Sequence, residues 1–191
     1  MIEREEIQAA LKEMLDLIED TELRGKVVDV WMLGVEQGGW ESLDQLKAMP
    51  FTLMTDTRGV NFLEHTLAVT KSAVGIAKSQ MTSYSKMPYK IDMDRLIAGG
   101  LLHDVGKFLE IERSPDGSYV RSRNGCLERH PISGAVLAAE AGLPAEIINV
   151  IACHAKEGEG RPQVIETVLI HQADFATFNP LVMMSEGKLV Q

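Results

Sequence analysis

The sequence predicts an all-α domain carrying one small β-hairpin. Three observations support this. Apolar residues recur at three- and four-residue spacing through most of the chain, one short stretch alternates instead around a Pro-Asp-Gly turn, and 191 residues with 45% hydrophobic content suffice for a single core. Ile7, Ala10, Leu11, Met14 and Ile18 share one face of a first amphipathic helix, and Val27, Val30, Trp31 and Gly34 share one face of a second. Gly38-Gly39 interrupts the run. Ser42 followed by Gln45 is the signature of a capping box, opening a short helix that must stop before Pro50. Residues 1–50 are therefore expected to form a helical extension packed on a core domain of residues 51–191.

A longer helix is expected from Val60 to about Met81, with Phe62, His65, Val69 and Ile76 on one face, so that His65 sits among apolar neighbours. Asp94 to Val105 reads as the next helix and runs into His103-Asp104-Val105-Gly106-Lys107, with Gly106 expected to supply a left-handed cap. The stretch FLEIERSPDGSYVRS alternates on either side of Pro115-Asp116-Gly117, which predicts two short strands joined by a turn. Pro131 suits the first position of a helix and leaves His130 as the extended residue before it. One further helix is expected from Pro144 to about Lys156, with Ile147, Val150, Ile151 and His154 on one stripe, and a last one from Val164 to Phe178.

Bulk properties narrow the setting. Two cysteines, Cys126 and Cys153, without a CxxC pair or secreted-scaffold spacing, predict free, partly buried thiols and a reducing cytoplasm. The charged, amphipathic N-terminus has no apolar signal core, and no stretch approaches the roughly 20 apolar residues of a membrane span. A net charge of −9 argues against a broad nucleic-acid surface, which needs a basic stripe against backbone phosphates. A small phosphorylated ligand held by a local cluster of cations is compatible with it. The amphipathic N-terminal helices could pack on a second subunit as readily as on their own domain, which leaves a homodimer open.

The chemistry-bearing residues are His65, His103-Asp104, His130, His154 and Asp174. Imidazoles and carboxylates from several helices, with no thiolate among them, suit a borderline-to-hard divalent cation. A lone histidine on an apolar face is more often a satisfied core residue. The aspartate of LLHDVGK is different, because after two leucines and a histidine it must be paired or coordinated. Asp174 shares its helix face with Ile170, His171 and Phe178 and raises the same demand.

With LLHDVGK at its centre, an upstream His65 and a downstream QAD ending in Asp174, residues 56 to 180 resemble the HD superfamily of metal-dependent phosphohydrolases. The resemblance implies an HD-domain helical bundle with the hairpin inserted after the HD motif. His130 in RHPISGA and His154 in IACHAKEG fall where dinuclear members of that superfamily carry second-metal ligands. It further implies that His65, His103, Asp104 and Asp174 hold one ion, that His130 and His154 hold the other, and that Asp104 bridges the two. Cofactors are thus expected to be two divalent ions, of Fe, Mn, Mg, Co or Zn. Two cations about 3.5–4 Å apart can share a hydroxide and clamp phosphoryl oxygens, which makes that hydroxide the expected nucleophile.

Asp104 and Lys107 are the expected catalytic residues, Lys107 meeting the substrate phosphate as a point charge as its counterpart does in the superfamily. Arg113, Arg121, Arg123 and Arg129 gather between two ligand positions, and Arg121, Arg123 and Arg129 are expected to join Lys107 on the phosphate. Arg58, Lys156 and Arg161 are weaker candidates. His171 suits a partner of Asp174 or the surface, Glu64 reads as exposed, and Cys153 reads as a packed thiol. The expected function is hydrolysis of a phosphomonoester or phosphodiester in a nucleotide or similar small metabolite. A diiron oxygenase of the inositol-oxygenase type would use the same ligands, and a non-catalytic regulatory HD module is the third reading. The tail CHAKEGEGRP departs from the HHExxDGxGYP run of cyclic-dinucleotide phosphodiesterases and argues against that role. The order of ligands also resembles the small hydrolases of diadenosine tetraphosphate, which keeps that substrate class open.

Overall fold

The computed structural model describes residues 2–158 and 161–190. Met1 and Gln191, at the ends of the two expected segments, and Glu159-Gly160 of the acidic run after His154 lie outside them. The described residues form a helical bundle with one two-stranded hairpin, as the periodicities predict. The helices are α1 (Arg4–Leu15), α2 (Thr21–Gln37), α3 (Leu43–Ala48), α4 (Phe62–Ser83), α5 (Met93–Leu102) and the single turn α6 (Lys107–Glu110), followed by strands β1 (Ile111–Arg113) and β2 (Tyr119–Arg121). After these come α7 (Arg123–Leu127), α8 (His130–Glu140), α9 (Ala145–Cys153), a 3-10 turn at Lys156–Gly158 and α10 (Ile165–Ser185).

Local chemistry explains where the elements begin. Asp20, Asn61, Asp92 and Ser122 each cap a helix with a side-chain oxygen, and Asn61 and Glu64 complete a reciprocal capping box on α4. Glu64 is thus an exposed capping residue. Ser42 caps α3 as expected, but Gln45 reaches back one residue further, accepting from the Glu41 amide. The hairpin pairs Ile111 with Arg121 and Arg113 with Tyr119 across the expected turn, with Gly117 at φ 86°.

Several boundaries differ from expectation: α5 stops at Leu102 and not at Val105, and α9 stops at Cys153 and not near Lys156. Arg129, not His130, is the cap of α8, so His130 is its first helical residue and Pro131 the second. Gly106 has φ −64° and is no left-handed cap. Its requirement for glycine is steric, because a Cβ there would lie 2.1 Å from the carbonyl oxygen of His130 and 2.6 Å from the amide of Gly134. Finally, α10 continues through Pro180 to Ser185 instead of ending at Phe178, since Leu181 beyond the proline still packs on the core. Of the two thiols, Cys153 is half-buried while Cys126 is exposed.

The core is continuous across the chain, from Ile7 and Leu11 of α1 to Leu169 and Ile170 of α10. Its largest side chains lie behind the HD segment. Trp31 of α2 packs against Phe62 and Phe108, with ring centroids 5.6 and 5.1 Å away, and donates from Nε1 to the Leu101 carbonyl. Trp40 donates in the same way to the Phe108 carbonyl. The two indoles thus fasten the backbone on both sides of the turn that carries His103, Asp104 and Lys107. Among the described residues no helix is long and apolar enough to cross a membrane.

Candidate metal centre

Five separate elements bring the candidate ligands together. His65 lies on the first turn of α4, His103 caps α5, Asp104 occupies the turn after it, His130 opens α8, His154 caps α9 and Asp174 lies on α10. His65, His103, Asp104, His130 and His154 are all buried, and among the described residues two trios converge within 4.8 Å: His65, His103 and Asp104, and Asp104, His130 and His154. Asp104 belongs to both. Its Oδ2 stands 3.3 Å from His65 Nε2 and 3.4 Å from His103 Nε2, while its Oδ1 stands 3.3 Å from His130 Nε2 and 3.5 Å from His154 Nε2. Asp174 adds a carboxylate oxygen 3.1 Å from His65 Nε2.

The orientation of each ring has a visible cause. His103 Nδ1 is 2.7 Å from the Gly100 carbonyl, His154 Nδ1 is 2.8 Å from the Ile151 carbonyl, and His65 Nδ1 is 3.4 Å from the Thr177 hydroxyl. Bonds to the two carbonyls require a proton on Nδ1, which leaves Nε2 as a lone-pair donor. His130 is held more firmly. Its backbone amide and its Nδ1 both donate to Glu110 Oε2, at 2.7 and 2.9 Å. His171 does not pair with Asp174. Its Nδ1 lies 2.6 Å from the His154 carbonyl, so it fixes the backbone of a candidate ligand.

A divalent cation fits this donor set. Nε2 of His65, His103 and His154 and Oδ1 of Asp104 are buried without any hydrogen-bond partner. One orphaned buried polar atom costs about 1–3 kcal/mol, so four of them converging in one place need a common partner. Donors bound to one cation at about 2.0–2.2 Å stand roughly 3 Å or slightly more apart, which matches the spacings found here. The charge states of Asp104, Asp174 and His130 agree. Burial works against the Asp104 carboxylate, yet Lys107, then His103 and His154, hold it well below the usual range. Burial likewise opposes the charge on Asp174, but His65 beside it keeps its pKa at about 2. Burial pushes the His130 ring down, favouring the neutral imidazole that a metal requires. On His65 burial is outweighed by Asp104 and Asp174, which push it up.

A cavity of about 480 Å³ opens over the cluster. Lys107, Glu110, His130 and Asp174 line its inner end, and Lys107 Nζ is 2.5 Å from Asp104 Oδ2. Arg121, Arg129 and Lys156 also line it. Arg129 is engaged on both sides, by Glu110 at 3.0 Å and Glu157 at 2.8 Å, whereas Arg121 stands 3.9 Å from Glu110. Arg123, by contrast, is exposed at the start of α7 and does not line the cavity, because the α7 turn carries it away. Arg113 lines a separate cleft beside Gly38-Gly39 and Trp40, Arg58 pairs with Asp56 on the surface, and Arg161 lies outside the cavity wall.

Several lining residues escaped the sequence reading, Phe175 among them. Glu110 was hidden in the alternating FLEIER stretch, where it reads as an outward charge. The segment Phe51-Thr52-Leu53-Met54 forms part of the cavity wall although no motif marks it. None of residues 2–50 lines the cavity.

The HD domain family model matches residues 62–175. The chain is 32% identical over 115 residues to a dihydroneopterin 2',3'-cyclic phosphate phosphodiesterase of Methanocaldococcus jannaschii, a match covering 60% of this chain and 45% of that protein. It is 34% identical over 116 residues to ribonuclease Y of Pseudothermotoga lettingae, covering 61% of this chain and 18% of the relative. Ribonuclease Y of Thermotoga maritima is similar at 31% identity over 116 residues, again 18% of its length. The chain therefore spans less than half the length of these curated relatives. No solved structure matches.

Proposed function

The chain belongs to the HD domain family, and on that premise we propose that it is a metal-dependent phosphohydrolase that opens a phosphodiester in a nucleotide or similar small metabolite, using two divalent ions. The observation that carries this reading is the division of Asp104, one oxygen facing His65 and His103 and the other facing His130 and His154. In this reading His65, His103, Asp104 and Asp174 hold one ion, and Asp104, His130 and His154 the other. When bound, such a pair supplies a water of lowered pKa and positive charge against the phosphoryl oxygens.

The remaining chemistry belongs to the protein. Lys107, which pairs with Asp104 and lines the cavity, meets the phosphate as a point charge, and Arg121, also on the lining, joins it. In the reaction the water oxygen bonds to phosphorus, the bond from phosphorus to the ester oxygen breaks, and one water proton ends on the leaving oxygen. Names of the relatives support a diester: one acts on a cyclic phosphate and the others are ribonucleases. Residues 51–191 form the catalytic domain in this proposal. Residues 1–50 are a helical extension whose Trp31 and Trp40 brace the HD turn from behind.

The test combines metal analysis with turnover. Wild-type protein should bind two divalent ions per chain and release product from a cyclic phosphodiester, and Asp104→Ala should abolish both. Two irons with substrate-dependent oxygen uptake and no phosphoester cleavage would establish the oxygenase reading instead. Protein that binds no metal would establish the regulatory one.

A further inference from the structure

We infer that the cavity selects a single phosphoester unit carrying a planar aromatic ring, held against a wall made by Phe175 and Phe178, and that it does not accept a polynucleotide. The inference deepens the phosphohydrolase reading and rests on it for the position of the phosphate.

The two ends of the cavity differ in chemistry. At the inner end stand Lys107, His130 and Asp174, and the apolar lining comprises Phe175 and Phe178 on α10 with Leu53 and Met54 on the segment before α4. Phe178 follows Asp174 by four residues, so their side chains share one helix face with Cβ atoms roughly 5–6 Å apart. That interval suits a sugar-sized linker between a phosphate at the cluster and a ring on the wall. The wall is rigidly backed. Phe51 stacks on His65 at 4.0 Å between centroids and 13° between planes, and it meets Phe178 edge-on at 6.4 Å. Phe175 in turn packs on His171 at 4.5 Å. Both rings are only partly buried, which leaves surface for a ligand.

Charge and volume limit the ligand to one unit. A cavity of about 480 Å³ is within the range of small-molecule sites. Lys107, Arg121, Arg129 and Lys156 are the cations that line the cavity, and Arg129 is held between two carboxylates, Glu110 and Glu157. So small a set of cations suits one phosphate, whereas a polynucleotide track calls for a longer basic groove and this chain carries −9.

Stacking of a base on an aromatic side chain corresponds to about a 5- to 150-fold effect on binding. The experiment compares four substrates on manganese-loaded protein: a purine-bearing and a pterin-bearing five-membered cyclic phosphate, glycerol cyclic phosphate, which has the same ester and no aromatic ring, and a single-stranded oligoribonucleotide. For wild type, kcat/KM should favour a ring-bearing monomer over glycerol cyclic phosphate at least tenfold, the better of the two rings naming the source, with no cleavage of the oligoribonucleotide. In Phe178→Leu and Phe175→Leu that ratio should fall toward one, chiefly through KM for the ring-bearing substrate. Both substrates report on the same protein, so a loss of fold cannot imitate a change in their ratio. A ratio near one in wild type, a ratio preserved in both variants, or cleavage of the oligoribonucleotide comparable to the monomers overturns the inference. Calorimetry separates this from the hydrolase reading. If nothing is cleaved but adenosine monophosphate binds wild type at least tenfold more tightly than glycerol phosphate and Phe178→Leu loses that preference, the ring wall stands and the hydrolase reading falls.

Discussion

Replacing Glu110 by glutamine is the substitution whose effect the geometry defines most closely. Three donors converge on this buried carboxylate: the His130 amide at 2.7 Å, His130 Nδ1 at 2.9 Å and Arg129 Nε at 3.0 Å. An amide of the same shape accepts through one oxygen only, so its NH2 group must face one of these donors and leave it unpaired. Loss of a hydrogen bond to a charged group costs about 1.5–3 kcal/mol, and about 2 kcal/mol corresponds to a fall in Tm of roughly 4–8 °C for a chain of this length. Outer partners of metal-bound histidines typically contribute 10- to 100-fold in affinity. Calorimetric titration with manganese should therefore show one ion bound as in wild type and the other weakened about 10- to 100-fold, with Glu112→Gln, an exposed change two residues away, leaving both unaltered. Equal weakening of both ions, or of neither, would refute the idea that Glu110 acts through His130. The acid limb offers a second reading. Burial opposes ionisation of Glu110, but His130 and Arg129 hold its pKa at about 2, below the 4.5 of a free glutamate. A depressed carboxylate contributes stability that is present above about pH 4.5 and is lost as the pH falls toward 2, so metal-free Glu110→Gln should unfold with a flatter dependence across that window.

Other perturbations have equally definite outcomes. Gly106→Ala places a methyl group 2.1 Å from the His130 carbonyl oxygen, and urea titration should show a loss of about 3 kcal/mol or more, since backbone cannot yield as a side chain does. Trp31→Phe removes the donor to the buried Leu101 carbonyl and leaves it unpaired, lowering stability by about 1–3 kcal/mol in the same assay. Removal of bound metal with a chelator should lower Tm. A ligand at a hundred times its Kd stabilises the folded chain by about 2.7 kcal/mol, and Asp104→Ala protein should show no such difference.

The parts of this molecule that were legible in the sequence are those in which one residue type has one reason to be where it is. Helical periodicity located the bundle, Pro115-Asp116-Gly117 located the hairpin, and His103-Asp104 stood out because a carboxylate after two leucines demands a partner. Gly106 was misread because glycine serves both conformation and close approach, and only the packing of α8 against the HD turn distinguishes them. Glu110 escaped because its significance lies in a residue twenty positions away, His130, and not in any local pattern. Arg123 and Arg129 looked equivalent as members of one basic cluster. The short α7 turn between them sends Arg123 outward, whereas Arg129 lines the cavity. The Phe51 to Met54 wall has no signature because it is a loop whose role comes only from where α3 and α4 place it.

That loop has a bearing on how such a chain can diversify. Phe51, Thr52, Leu53 and Met54 line the cavity yet supply none of the His and Asp side chains of the cluster, and Arg121 on the hairpin does the same. Leu53 and Met54 are exposed, so changes there can redraw the mouth, whereas Phe51 stacks on His65 and is tied to the cluster. Phe175 and Phe178 are less free, because they share a helix with Asp174 and a shift in one is felt by the other. A lineage built on this scaffold would thus be expected to vary first at Leu53 and Met54, and last along the face of α10.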